Sequence, residues 1–353
     1  MNQLEHELTY PLGDALPAPG QTLELAEGVR WLRMKLPFAL NHINLWLLRD
    51  EIDGQPGWSI VDCGIADDGT RAAWEQIFAN ELDGLPVLRV IVTHMHPDHI
   101  GLAYWLTERW NCRLWVSATD YNTARLASAS TSATGFGGTR AAAFMASHGL
   151  NDPASLDMVV NRTGYYASMV PRLPDAFRRL MHGMVLRING YAWTCHAGYG
   201  HAPEHISLHC ADLGILISGD MLLPCISTNI SVVDSEPEAD PLSLFLESTV
   251  RTRALPESTL VLPAHGKPFR GLRQRVDQLL AHHQERLRDL LAACAERPQS
   301  ASDLLMVLFD RELDPHQRLF AIGESVAHLN AKWIAGELRR TLDPDGVYRF
   351  CAA

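Results

Sequence analysis

The sequence predicts a layered α/β fold with a helical C-terminal region. Three observations lead there. Strand-type and helix-type runs alternate from residue 29 to 116, strand-type runs return between 185 and 262, and helical spacing takes over from about Leu272 almost to the end. Alternation of this kind marks strands and helices stacked in layers around a shared core.

Taken in order, residues 1–27 read as a loosely ordered lead-in containing Pro11, Pro17 and Pro19. Val29–Met34 and the apolar run Ile43–Leu48 follow as strands, and Asp53-Gly54 is a hairpin signal before the strand Trp58–Val61. Residues 68–80 have helical spacing through Ala72, Trp74, Ile77 and Phe78. Val87–Val92 is a buried-type strand, Ile100–Trp110 a helix and Arg113–Val116 a short strand. Residues 118–182 break the rhythm. Ser128–Gly138 is a Ser/Thr/Gly-rich loop, and Ala141–His148, Ala154–Val170 and Asp175–Met181 have helical patterns, so the whole stretch reads as an insertion. Strands resume at Val185–Ile188, Tyr191–Cys195, Ile206–His209 and Leu213–Ile217. A helix over Pro241–Thr252 and a strand over Thr259–Leu262 follow. From Leu272 a long amphipathic helix begins, then Ala301–Phe309 and His316–Arg339 as helices, with Gly346–Phe350 as a short wing.

Hydrophobic residues make up 47% of the chain and charged residues 20%, which places it among packed globular proteins rather than disordered ones. The net charge is −11, and an acidic balance argues against broad nucleic-acid or anionic-membrane binding. The start, Met1-Asn2-Gln3-Leu4-Glu5-His6-Glu7, lacks the basic residues and apolar run of a secretory signal, and no stretch reaches the roughly 20 apolar residues of a membrane span. Seven scattered cysteines, none in a CxxC pair, read as free thiols in the cytoplasm.

The strongest chemical signal is Thr93-His94-Met95-His96-Pro97-Asp98-His99, directly after a strand. His94 and His96 can point to one side of an extended segment, and Asp98 and His99 come from the turn that follows. Neutral imidazoles and carboxylates are the ligands of catalytic metal sites that keep a position open for water. Three further strand-to-loop junctions present chemistry: Gly200-His201-Ala202-Pro203-Glu204-His205, Ser218-Gly219-Asp220 and Pro263-Ala264-His265-Gly266.

This ordered set resembles the metallo-β-lactamase superfamily over roughly residues 28–270, on the branch similar to glyoxalase II. The resemblance implies an αββα sandwich and two divalent metal ions. By that resemblance His94, His96 and His201 bind the first ion, Asp98, His99 and His265 bind the second, and Asp220 bridges them. Zn²⁺ is the expected metal, with Fe and Mn as alternatives. Asp62, in Asp62-Cys63-Gly64, matches the family's aspartate that orients the ligand turn, and His205 is a supporting residue of the same kind. Asp98 and Asp220 are the expected catalytic carboxylates, and Asp98 could also accept a proton. His96 stands where oxygen- and NO-reducing relatives carry Glu, and Asp220 where many true β-lactamases carry Cys, so hydrolysis of something other than an antibiotic is implied.

The expected organisation is a catalytic domain over 1–271, with the helical insertion at 118–182, and a helical, winged-helix-like region over 272–353. Two metals can lower the pKa of a bridging water from about 15.7 to near 7. The expected reaction is attack of that hydroxide on an ester-type bond, foremost an acyl thioester. Lactone or ester hydrolysis, phosphodiester or RNA cleavage, and a low-turnover metal-containing sensor are the alternatives. Tyr165, Tyr166 and Arg178 in the insertion are the candidate contacts to a small-molecule or acyl-type substrate. A second copy of the chain is the candidate protein partner. His282 and His283 are adjacent on a helix and point about 100° apart, so they read as structural.

Overall fold

The computed structural model describes residues 2–38, 40–129, 137–309 and 311–353. Seven strands form the first sheet in sequence order: β1 (Leu23–Ala26), β2 (Val29–Lys35), β3 (His42–Ile52), β4 (Gln55–Val61), β5 (Val87–Ile91), β6 (Arg113–Ser117) and β7 (Phe177–Leu180). Pairing is antiparallel from β1 to β4 and parallel from β4 to β7. The second sheet contains β8 (Val185–Ile188), β9 (Tyr191–Gly198), β10 (His205–Cys210), β11 (Ile215–Gly219) and β12 (Leu260–Pro263), in the order β12-β11-β10-β9-β8.

Strand alternation sorts the side chains into layers. On β3, Trp46 and Leu48 face the second sheet and pack with Trp193, Ile206, Leu208 and Ile217. Ile43, Leu45 and Leu47 face outward, in one cluster with Trp74 and Ile77 of α1 (Asp68–Asn80) and Leu106 of α3 (Ala103–Trp110). On the far side, Leu216 and Val261 pack with Leu272, Val276 and Leu279 of α9 (Leu272–Glu296). Helix, sheet, sheet, helix is therefore the order of layers, as the resemblance implied.

The chain from β6 to β7 carries α4 (Ala118–Ala129), α5 (Gly138–Ser147), α6 (Pro153–Asn161) and α7 (Tyr165–Met169). Most of the Ser/Thr/Gly-rich loop expected at 128–138 lies outside the described residues. Asp175–Met181, read as helical, is instead the edge strand β7, because Phe177–Leu180 pairs in register with Leu114–Ser117. The insertion is thus a helical crossover between two parallel strands. The lead-in is also more ordered than its prolines imply. Leu8 is buried against Phe269 and Leu272, Thr9 bridges Arg270, and β1 closes the edge of the first sheet.

After α8 (Pro241–Thr252), the C-terminal region comprises the second half of α9, α10 (Leu305–Leu308), α11 (Pro315–Ile334) and the hairpin β13 (Leu338–Leu342) with β14 (Tyr348–Ala352). The helix expected over His316–Arg339 stops at Ile334, where Gly336 takes φ +77° and the chain turns into β13. One apolar cluster joins Leu290, Leu319, Ile322, Val326 and Phe350 to Phe144 of the crossover and to Leu242 and Phe245 of α8. Among the described residues, no helix is long and apolar enough to cross a membrane.

Candidate metal centre

The site lies along one edge of the sandwich, at the C-terminal ends of β5, β9, β11 and β12. Two backbone hydrogen bonds join the sheets there. Ile206 N–H donates to Thr93 O at 2.8 Å and Asn44 N–H to Ala264 O at 2.7 Å. His94 and His96 follow β5, and His96 has extended backbone. Pro97 opens the single turn α2 (Pro97–Ile100), which carries Asp98 and His99. His201 follows β9 through Gly200 at φ +96°, where a Cβ would meet Pro241 O. Asp220 follows β11 through Gly219 at φ +52°, where a Cβ would lie 2.2 Å from His205 Nε2. His265 follows β12.

These seven side chains form two groups, each with ligand-type atoms within 4.8 Å of one another: His94, His96, His201 and Asp220, and Asp98, His99 and His265. In the first, His94 Nε2 faces His96 Nδ1 at 2.9 Å and His201 Nε2 at 3.2 Å. In the second, Asp98 Oδ2 is 3.8 Å from His99 Nε2 and 3.4 Å from His265 Nε2. Asp220 spans both, with Oδ2 3.3 Å from His201 Nε2 and Oδ1 3.5 Å from His99 Nε2 and from His265 Nε2. His99 Nε2 and Asp220 Oδ1 are buried and without a hydrogen-bond partner. Lone pairs converging from imidazole and carboxylate, with such atoms left over, fit a pair of divalent cations better than they fit one another.

The surroundings fix which nitrogen points inward. Asp62, itself at φ +62°, accepts Thr93 N–H at 2.8 Å, the Thr93 hydroxyl at 2.9 Å and His99 Nδ1–H at 2.8 Å. With its proton given to Asp62, the Thr93 hydroxyl accepts His94 Nδ1–H at 3.1 Å. His201 Nδ1–H donates to Asn229 O and His265 Nδ1–H to His42 O, both at 2.8 Å. Each of these four histidines therefore turns its Nε2 toward the cluster. His205 Nε2 accepts Asp220 N–H at 3.2 Å, so this fully buried ring supports the carboxylate's backbone.

Burial and the adjacent imidazoles hold His94 well below the usual histidine range, and burial with His201 pushes His96 down to about 3. Burial alone would lower His99, but Asp62, Asp98 and Asp220 outweigh it and hold it well above that range. Burial works against ionisation of Asp220 and Asp98. The histidines nonetheless keep both below the usual carboxylate range, Asp220 by a wide margin.

Of the residues expected to contact substrate, Tyr166 is buried and its hydroxyl donates to Met95 O, between His94 and His96. Tyr165 stacks under the Arg162 guanidinium at 3.8 Å and lies near His316 of α11. Arg178, on β7, stacks on Trp115. The sequence reading missed Asp120, fully buried at the start of α4, which burial raises to about 6. It also missed His42, whose carbonyl fixes His265 and whose Nε2 accepts Gly266 N–H at 3.0 Å. Ser117-x-x-Asp120 is a helix-start signal, but nothing in it announces contact with distant loops.

Comparison with known proteins agrees with this geometry. The profile of the metallo-beta-lactamase superfamily matches residues 40–290, and that of the metallo-beta-lactamase-like C-terminal domain matches 287–353, so the two meet inside α9. A beta-lactamase domain protein from Burkholderia ambifaria is 55% identical, each chain covered completely, with a TM-score of 0.94. A metallo-beta-lactamase family protein from Thermus thermophilus is 27% identical with a TM-score of 0.77, over 94% of this chain and 100% of the other. A probable metallo-hydrolase from Bacillus subtilis (strain 168) is 23% identical over 321 residues, covering 86% of this chain and 92% of its own. The chain belongs to the metallo-β-lactamase superfamily and is one of its metal-dependent hydrolases.

Proposed function

We propose that the chain uses two zinc ions to hydrolyse an ester-type bond, with an acyl thioester as the substrate class. The observation that carries the two-metal reading is Asp220, which offers one oxygen to each group of imidazoles. When bound, the cations supply Lewis acidity and lower the pKa of a coordinated water. The protein's part is to hold six further ligands, keep their lone pairs turned inward and exclude bulk water around them. The mixed imidazole and carboxylate donors suit zinc and accept iron or manganese as well.

The electrostatics favour a leaving group that departs as an anion. Asp98 and Asp220 both belong to the ligand groups, and a carboxylate that binds a cation carries no proton to give. A thiol, with a pKa of about 8.5, leaves without one far more readily than an amine. The seven free cysteines fit a reducing compartment, and we assign the protein to the cytoplasm.

The test is metal analysis of the purified protein with a panel of acyl thioesters, lactones and single-stranded RNA. Two zinc ions per chain and preferential thioester cleavage are expected. Asp220→Ala should lower turnover by on the order of 100-fold or more, since even partners one bond removed from a metal contribute 10–100-fold. RNA cleavage with inert thioesters, or two bound metals with no hydrolysis of the panel, would overturn the assignment.

A further inference from the structure

The crossover between β6 and β7 reaches both loops that carry the first group of ligands. Asp120 Oδ1 accepts the N–H of Met95, the residue between His94 and His96, at 2.8 Å. Its Oδ2 accepts the N–H of Glu204, in the loop that presents His201, at 2.6 Å. Ser117 Oγ donates to the same oxygen at 3.1 Å, and Thr119 Oγ1 donates to Glu204 Oε2 at 3.0 Å. On the other side of the Met95 peptide, the Tyr166 hydroxyl donates to Met95 O. Met95 is thus held at both its N–H and its C=O, by groups from α4 and α7.

The two loops leave different sheets, β5 in the first and β9 in the second. Their relative position decides whether three imidazole nitrogens can meet at bonding distance from one ion. We propose that Asp120 is a positioning residue for the first metal site, one rigid carboxylate setting the distance between the His94–His96 loop and the His201 loop. This rests on the two-metal reading above. The chemistry requires an acid there. A carboxylate has two acceptor oxygens and takes both N–H groups, whereas an amide of the same shape has one and leaves the other N–H buried without a partner. The second group of ligands makes no hydrogen bond to Asp120 and is held instead through Asp62 and His42.

Selectivity between the sites is therefore the readout, because general destabilisation would weaken both. Cadmium-113 substitution of the full chain gives one resonance per site, and Asp98→Ala, which removes a ligand of the second group, assigns them. Asp120→Asn is expected to weaken the first site by about 10–100-fold in chelator competition and to shift its resonance, leaving the second within about threefold. Asp120→Glu, which retains both oxygens, should recover part of the loss. Equal weakening of both sites, or no change at either, would overturn the proposal. If Asp120→Asn does not fold, Tyr166→Phe carries the test. It unties the Met95 carbonyl while keeping the ring, and a smaller loss confined to the first site is expected. The wild type is titrated first; a wild type that takes up no cadmium would overturn the two-metal reading itself.

Discussion

A buried imidazole with a backbone acceptor at Nδ1 has its proton assigned for it, and His328 is such a group. Its Nδ1–H donates to Glu324 O at 2.8 Å, so its Nε2 is left to accept His283 Nδ1–H at 3.3 Å. Burial, with His282 and Arg286 nearby, pushes His328 down to about 4, and burial holds His283 well below the usual range. The native pKa of His328 is lower than the unfolded value of about 6.5. Its contribution to stability is therefore complete above pH 6.5 and is lost as the pH falls toward 4, where the unfolded chain binds a proton that the native chain refuses. Over that window the loss amounts to about 3 kcal/mol. Urea unfolding of the metal-stripped wild type and of His328→Gln should give curves of stability against pH whose slopes differ by about one proton between pH 6.5 and 4.5; parallel slopes would exclude the assignment. Residues of the candidate metal centre were legible where their signal was local: His94 to His99 form one run, and His201, Asp220 and His265 each sit beside a glycine at a strand end. Asp120, His42 and His328 were illegible because each acts on residues far away in the chain, and one Asp or His has no periodicity to betray it.

Elements were legible where a cap or a period marked them. The helices read over 68–80 and Pro241–Thr252 have those same bounds in the structure, for Asp67 and Asp240 cap their first turns through Thr70 N–H and Ser243 N–H. β7 was misread because Arg178 and Arg179 are both exposed and mask any alternation, while its strand character comes from pairing with β6. α11 was read too long because the apolar period runs on past Gly336, although glycine in a left-handed conformation just after a helix is a stop signal. The same backbone conformation has a sharper use at the end of β11. Gly219 at φ +52° lets the strand turn Asp220 into the cluster while His205 packs against the bare Cα. Gly219→Ala adds a methyl group 2.2 Å from His205 Nε2 in a conformation that alanine resists. It should cost more than about 1 kcal/mol in thermal or urea unfolding and reduce the metal content. Unchanged stability with the metal content retained would show that the strand end relaxes freely.

At the scale of the whole molecule, the sequence placed a boundary at 271/272, where helical spacing takes over, but α9 belongs to both sides of it. Its first half, through Leu272, Val276 and Leu279, is the outer layer over Leu216 and Val261 of the second sheet. Its second half, through Leu290 and Cys294, enters the cluster that also holds Leu242 and Phe245 of α8 and Ile230 and Val232 of the loop after Asp220. That loop supplies the Asn229 carbonyl that orients His201, so the C-terminal region supports the metal centre through packing. A chain ending at residue 271 loses the cover over at least six large apolar side chains: Leu216, Val261, Ile230, Val232, Leu242 and Phe245. At roughly 1.5–3 kcal/mol for each such side chain left exposed, the loss is on the order of 10 kcal/mol. Domains are stable by only about 5–15 kcal/mol, so the truncated chain should aggregate or unfold without a cooperative transition. The full chain should instead unfold in one transition that also releases the metals. Near-ultraviolet circular dichroism with a urea titration of both chains decides the matter. A soluble 1–271 fragment with a sharp transition and bound metal would mean that the sandwich closes on its own and that α9 is an accessory to it.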